Sequence, residues 1–354
     1  MGATVNGLAD SFRHVTIYQA PAGKSAMYAS LVDLGGSEIL CAFRTSTLDG
    51  SDPWTNLDDE IVCLKSYDGG ETWDPATLRP VYADPTRHDY IEWNAPLLRD
   101  GRVMLGFYEV LAEHDEEDPD TWQAPALLTC SSDRGDTWSE PKRLDSPLGA
   151  AVPYGGVIRL QDGDLLLCHY GIGHRDRPEV APGLSAPAVM RSSDEGQTWR
   201  EFTYVAYERE LEQAAKSVRG INETDIAQLG DGRLVAMSRT YKDSYPLYRS
   251  LSTDNGYTWR FGPTKLHGLC PALLWVPQGP AGGTTILAYH DRYLEHQNRG
   301  GVYLTFSYDA GETWGEQVFV SAGAYPCLLP LESGEILLAY YTSSVELQGT
   351  FFRA

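Results

Sequence analysis

Short apolar runs recur along this chain, and a polar octet closes many of them. Runs such as residues 61–64 and 302–306 are rich in β-branched and aromatic side chains, and each leads into such an octet. The octets read SYDGGETW at 66–73, SSDRGDTW at 131–138, SSDEGQTW at 192–199, STDNGYTW at 252–259 and SYDAGETW at 307–314. Their starting positions lie 65, 61, 60 and 55 residues apart, a period of blades or solenoid turns. In each copy the Asp can accept turn N–H groups, the Gly can take a positive φ, and the Trp can anchor the turn by packing. The pattern predicts strand–turn units, with the octets as structural glue.

A second repeat lies between the octets. Its clearest copy is INETDIAQLGDGRLVAMSR at 221–239, matched by YPCLLPLESGEILLAY at 325–340 and EWNAPLLRDGRVMLGFY at 92–108. A further copy runs from Tyr154 through Gly163 to Tyr170, and looser ones span 28–44 and 267–291. Most surround a D-G or S-G hairpin signal. Six hairpins with five octets predict an all-β, six-bladed β-propeller of four-stranded antiparallel sheets. The last unit lacks an octet, so the N-terminal strand, roughly residues 14–19, is expected to supply its outer strand and close the ring. Length alone would suggest two domains, but one propeller absorbs residues 1–354 as a single domain. Residues 208–218 have the best helical composition, and 113–120 and 171–187 read as long loops.

Charge and cysteine usage narrow the function. A formal charge of −21 argues against nucleic-acid and anionic-membrane partners, which need a basic face. The six cysteines are scattered singly, so buried thiols are expected rather than disulfides or a zinc site. The sequence offers no phosphate loop, dinucleotide fingerprint or ligand cluster at metal spacing, so no cofactor or metal is expected. No apolar leader or membrane-length run is seen, which implies a soluble cytoplasmic protein.

In a propeller the inner strands line the axis, so equivalent positions form rings at its mouth. Counting nine residues back from each hairpin glycine gives Glu92, Tyr154, Glu223 and Tyr325, joined by Tyr28 or Met27 and by His267 or a neighbour. Counting seven forward gives Tyr108, Tyr170, Arg239 and Tyr341, with Arg44 and Asp291 from the looser copies. Carboxylates, phenols and guanidiniums crowded at a concave mouth are an active-site signature. Tyr325 and Tyr154 also read as packing residues with rim hydroxyls, and the arginines as structural partners of Glu223 and Glu92.

The octets and these hairpins together resemble the sialidase (neuraminidase) superfamily, whose members are six-bladed propellers marked by Asp-box turns. The likeness covers nearly the whole chain. Glu223 and Arg239, flanking one hairpin, are similar to the family's Glu and Arg; Arg299, eight residues before the last octet, is similar to a further Arg. Tyr325-Pro326-Cys327-Leu328 resembles the context of the family's nucleophilic tyrosine. The first blade departs from the family: Met27-Tyr28-Ala29 stands where an Arg-Ile-Pro would carry a third carboxylate-clamping arginine, and only Arg44 lies nearby. The family's general-acid Asp falls in the loop holding Asp49, Asp52, Asp58 and Asp59, with spacing favouring Asp52.

The resemblance implies a retaining exo-glycosidase acting on an anionic sugar, sialic acid or a related glycan. Tyr325 would be the nucleophile, Glu223 its base and Asp52 the acid. Arg239, Arg299 and Arg44 would hold the anion, and Glu92 and Tyr154 would contact the sugar. A phenol ionises near about 10, so Tyr325 needs a base to attack. A tyrosine suits an anomeric centre beside an anion, where a carboxylate nucleophile would be repelled. Two other readings fit the same propeller: a lyase or glycosidase on uronate-containing glycans, and a non-catalytic carbohydrate-binding scaffold.

Overall fold

A computed structural model describes residues 7–48, 58–85, 87–91, 96–111, 124–173, 180, 183–208, 219–241, 246–279, 282–291 and 300–354. The described residues are almost wholly β, with a 3-10 turn at Ala9–Ser11. Most of the segment with the best helical composition, at 209–218, lies outside them, as do residues 113–120. After β1 (Arg13–Gln19) comes a sheet of β2 (Met27–Gly35), β3 (Glu38–Thr45), β4 (Glu60–Ser66) and β5 (Asp74–Tyr82). The next holds β6 (Arg87–Tyr90), β7 (Val103–Leu111), β8 (Ala126–Ser131) and β9 (Lys142–Arg143). Later in the chain, β19 (Leu269–Val276), β20 (Thr284–Asp291), β21 (Gly301–Ser307) and β22 (Val318–Ser321) form another. The last is β23 (Ala324–Pro330), β24 (Ile336–Ser343) and β25 (Glu346–Phe352), with β1 as its outer strand.

Four sheets thus stand alone with four strands each, where six were expected. The remaining strands form one nine-stranded sheet. It comprises β10 (Ala151–Val152), β11 (Val157–Arg159), β12 (Leu165–Ile172), β13 (Leu184–Ser192), β14 (Arg200–Tyr204), β15 (Arg219–Gln228), β16 (Leu234–Thr240), β17 (Pro246–Ser252) and β18 (Arg260–His267). The fusion is local: β13 and β15 pair in parallel only at Leu184–Arg219 and Ser185–Gly220. Gly220 permits this approach, since a Cβ there would lie 2.3 Å from the Ser185 carbonyl oxygen. Elsewhere the arrangement is propeller-like, each sheet an antiparallel meander. The N-terminal strand closes the last sheet as expected, pairing Arg13 with Phe351 through Gln19 with Glu346.

All five octets share one hydrogen-bond pattern among their Ser, Asp, Gly and Thr. In the first, Ser66 Oγ donates to Asp68 Oδ1 at 2.9 Å and accepts the Gly70 N–H at 2.9 Å. Thr72 returns its N–H to Asp68 Oδ1 at 2.9 Å and its hydroxyl to Oδ2 at 2.6 Å. The residue after each Asp is left-handed, whether Gly69 (φ 76°), Arg134 (62°), Glu195 (56°), Asn255 (62°) or Ala310 (61°). Hydrogen bonds from Thr137 pull Asp133 down to about 2, and those from Thr198 do the same for Asp194.

The octet glycines seat each turn on the preceding sheet. A Cβ on Gly135 would lie 2.4 Å from Leu40 Cδ1, and one on Gly196 2.2 Å from Met104 Cε. On Gly70 it would meet Leu337 Cδ2 of the last sheet at 2.9 Å, so first and last sheets touch. Pairing places these turns and the first hairpins at one end of the sheets, since Ile39 faces Ser66 and Thr285 faces Ser307. The starts of the inner strands, among them Ala324 opposite Tyr341, lie at the other end.

Gly69 and Gly135 share a left-handed backbone but not a neighbourhood, because a Cβ on Gly69 meets nothing within 4 Å. Gly69→Asn should change stability by less than about 1 kcal/mol, whereas Gly135→Ala should cost about 1–3 kcal/mol. Urea unfolding of the two variants checks the difference.

Candidate active site

The inner strands do not run straight into the mouth. Pairing slips by one residue between Met27 and Ser30, Ile221 and Thr224, Leu269 and Ala272, and Ala324 and Cys327. Each slip is a bulge that sets two residues outside the ladder register: Tyr28-Ala29, Asn222-Glu223, Cys270-Pro271 and Tyr325-Pro326. Bulges re-aim side chains and recur beside functional sites. The backbone at Tyr28 (φ 61°), Cys270 (52°) and Tyr325 (53°) is left-handed. For bulky residues that conformation stores strain which the surrounding packing must hold.

This geometry brings Tyr325 and Glu223 together. Tyr325 Oη donates to Glu223 Oε1 at 3.1 Å. Arg239 Nη1 donates to the same oxygen at 2.7 Å, and the Cys270 N–H reaches Oε2 at 3.1 Å. Glu223 is 3% exposed, so this carboxylate is almost dry and held by donors from three other strands. Burial would lower the Arg239 guanidinium, but the Glu223 charge outweighs it and holds Arg239 well above its ordinary value. Arg239 also lies over the Tyr241 ring, 4.6 Å from its centroid.

Aromatic rings wall the pair. Tyr28 meets Tyr325 edge-on with centroids 4.6 Å apart, and Tyr341 stacks on Tyr325 at 6.0 Å. Tyr154 is buried and donates its hydroxyl to the Pro271 carbonyl at 3.1 Å. A cavity of about 30 Å³ lies between Tyr28, Tyr154, Asp225 and Tyr325. Among the described residues no group of His, Cys, Asp and Glu could hold a metal ion.

The other expected residues are distributed differently. Arg44 is fully buried and donates from Nη2 to both Asp59 oxygens, at 2.7 and 2.8 Å, so its guanidinium is committed inside the protein. Asp58 accepts the Thr47 N–H at 3.0 Å and pairs with Lys24 at 3.3 Å. Asp49, Asp52, Glu92 and Arg299 lie outside the described residues. His267 ends β18, opposite Pro246 on an outer strand, and the fifth inner strand presents Cys270 instead. Counting back from the hairpin glycine missed this because that hairpin is longer; the shared X-Pro dipeptides Cys270-Pro271 and Tyr325-Pro326 were the usable signal. The count also made Glu223 and Tyr325 equivalent, whereas pairing makes Tyr325 the counterpart of Asn222. His169 is buried against Ser146, and burial lowers it to about 3, so it stays neutral.

Residues 80–338 match the family described as BNR repeat-like domain. No match was found among curated proteins. Among solved structures, a protein of unknown function from Dyadobacter fermentans DSM 18053 is 19% identical with a TM-score of 0.77, over 97% of this chain and 99% of that one. The NanB sialidase of Streptococcus pneumoniae is 13% identical with a TM-score of 0.70, over 96% of this chain and 70% of that one. The intramolecular trans-sialidase of Ruminococcus gnavus, solved with oseltamivir carboxylate, is 15% identical with a TM-score of 0.69, over 99% and 98%. At these identities the likeness is one of fold.

The Arg44–Asp59 pair makes a stability prediction. Asp59→Ala leaves a dry guanidinium without its carboxylate and should cost about 3–5 kcal/mol in chemical denaturation. A loss below about 1 kcal/mol would mean that water reaches Arg44.

Proposed function

The chain belongs to the BNR repeat-like domain family, and from that premise we propose that it is a retaining exo-glycosidase of sialidase type acting on an anionic sugar. We read residues 1–354 as one propeller domain of six blades, counting the nine-stranded sheet as two blades joined at Gly220. The observation that carries the enzymatic reading is the 3.1 Å hydrogen bond from Tyr325 Oη to Glu223 Oε1. A phenol alone is a weak nucleophile, and a carboxylate at this distance is placed to take its proton.

The reaction then follows from charge. Glu223 accepts the Tyr325 proton while the phenol oxygen bonds to the anomeric carbon. The bond from that carbon to the leaving oxygen breaks, and that oxygen takes a proton from a carboxylic acid, for which Asp52 is our candidate. Water then attacks the anomeric carbon of the glycosyl-tyrosine, losing its proton to the Asp52 carboxylate. The phenolate leaves and recovers its proton from Glu223, so configuration is retained. Arg239, with Arg299 as the candidate second cation, would orient the sugar's anionic group.

The sequestration of Arg44 by Asp59 favours a second substrate class, a uronate, whose carboxylate lies away from the anomeric carbon. Fluorogenic sialosides and uronides separate the two by turnover, and an ultraviolet-absorbing unsaturated product would mark elimination. Tyr325→Phe should reduce kcat by about a thousandfold or more with the fold intact by circular dichroism. A Phe variant with wild-type turnover would end the assignment.

A further inference from the structure

The Tyr325–Glu223 pair uses only one of the two neighbouring carboxylates on β15. Asp225, two residues further on, is 2% exposed. Its Oδ2 accepts the Leu273 N–H at 2.7 Å, and its Oδ1 accepts the N–H of Ile226 at 2.8 Å. Leu273 lies on β19, the strand whose Cys270 N–H holds Glu223. β15 and β19 belong to different sheets, so Glu223 and Asp225 act as two rungs between strands that share no ladder. On the other side a Cβ on Gly155 would lie 3.0 Å from Asp225 Cα and 3.2 Å from Oδ1. Asp225 is therefore gripped from both sides, and it also lines the cavity of about 30 Å³ shared with Tyr325. That volume is enough for about one water molecule.

We infer that Asp225 is a positioning residue for the Tyr325–Glu223 pair, fixing the height of β19 and with it the Cys270 N–H that holds Glu223. It touches no substrate atom. The kinetic consequence below rests on the glycosidase reading; the positioning role does not.

The titratable groups shown against Asp225 are the thiols of Cys168 on β12 and Cys327 on β23 and the cavity phenols of Tyr28, Tyr154 and Tyr325. Burial raises Asp225 to about 7, against the lowering effect of its two amide hydrogen bonds. Its ionisation adds negative charge to the wall of the cavity it shares with Tyr325 and opposes the phenolate that develops during attack. Turnover should therefore fall as pH rises past neutrality. Stability follows the same proton: the unfolded chain releases it near about 4 while the folded protein keeps it. Stability should fall as pH rises from that value toward 7 and flatten above it, and Asp225→Asn should remove this fall.

The test has two arms. Amide resonances of Leu273 and Cys270 in the wild-type protein, followed across neutral pH, should move together with a midpoint near 7. A Leu273 amide that does not move overturns the proposal, whether or not any variant folds or any sugar is cleaved. With a fluorogenic glycoside, wild-type kcat/KM should fall severalfold above neutrality, while Asp225→Asn should lose that fall with KM changed by less than about twofold. An unaltered alkaline limb in a folded Asp225→Asn protein also overturns it. Absence of turnover in the wild type would sink the glycosidase reading alone, leaving the amide titration to decide the role of Asp225.

Discussion

A carboxylate that is 3% exposed survives in this protein because donors from three other strands converge on it. Glu223 accepts from Arg239 on β16, from the Cys270 backbone on β19 and from Tyr325 on β23. An unpartnered polar group at that depth would be costly, so the ring of sheets and the carboxylate depend on each other. The same bonds that hold Glu223 aim it at the phenol. On the proposed reading, structural satisfaction and catalytic arrangement are one set of contacts.

The two ends of the sheets divide the work. At one end, the Ser-Asp-Gly-Thr octets satisfy their own hydrogen bonds and seat each turn on the neighbouring sheet through a glycine. At the other end, bulges and left-handed backbones at Tyr28, Cys270 and Tyr325 store strain. Tight, repeated packing at the turn end is what lets the mouth hold residues in unfavourable conformations.

Much of this was legible in the sequence where the determinant is local. Octet chemistry spans seven residues, so the turns and their hydrogen bonds follow from residue type and order. The outer position of β1 followed from the missing sixth octet. What was not legible depends on distant partners. The fused sheet arises from Gly220 meeting Ser185, an approach no hairpin signal encodes. Arg44 looked available for an anion until Asp59 closed on it. Cys270 displaced His267 because a longer hairpin shifts the count, and Asp225 went unnoticed because its amide partner lies on another sheet. Tyr325 and Glu223 were found in spite of a register error: the bulges compensate for the one-residue difference between β15 and β23.

The proposed reaction requires Tyr325 to form a covalent bond to the sugar, with Glu223 as its base. The most direct measurement is trapping with a fluorinated glycosyl fluoride, followed by peptide mass spectrometry. A glycosyl adduct is expected on the peptide containing Tyr325, localised to its phenol oxygen. An adduct on a carboxylate, or turnover with inversion of configuration and no adduct, would contradict it.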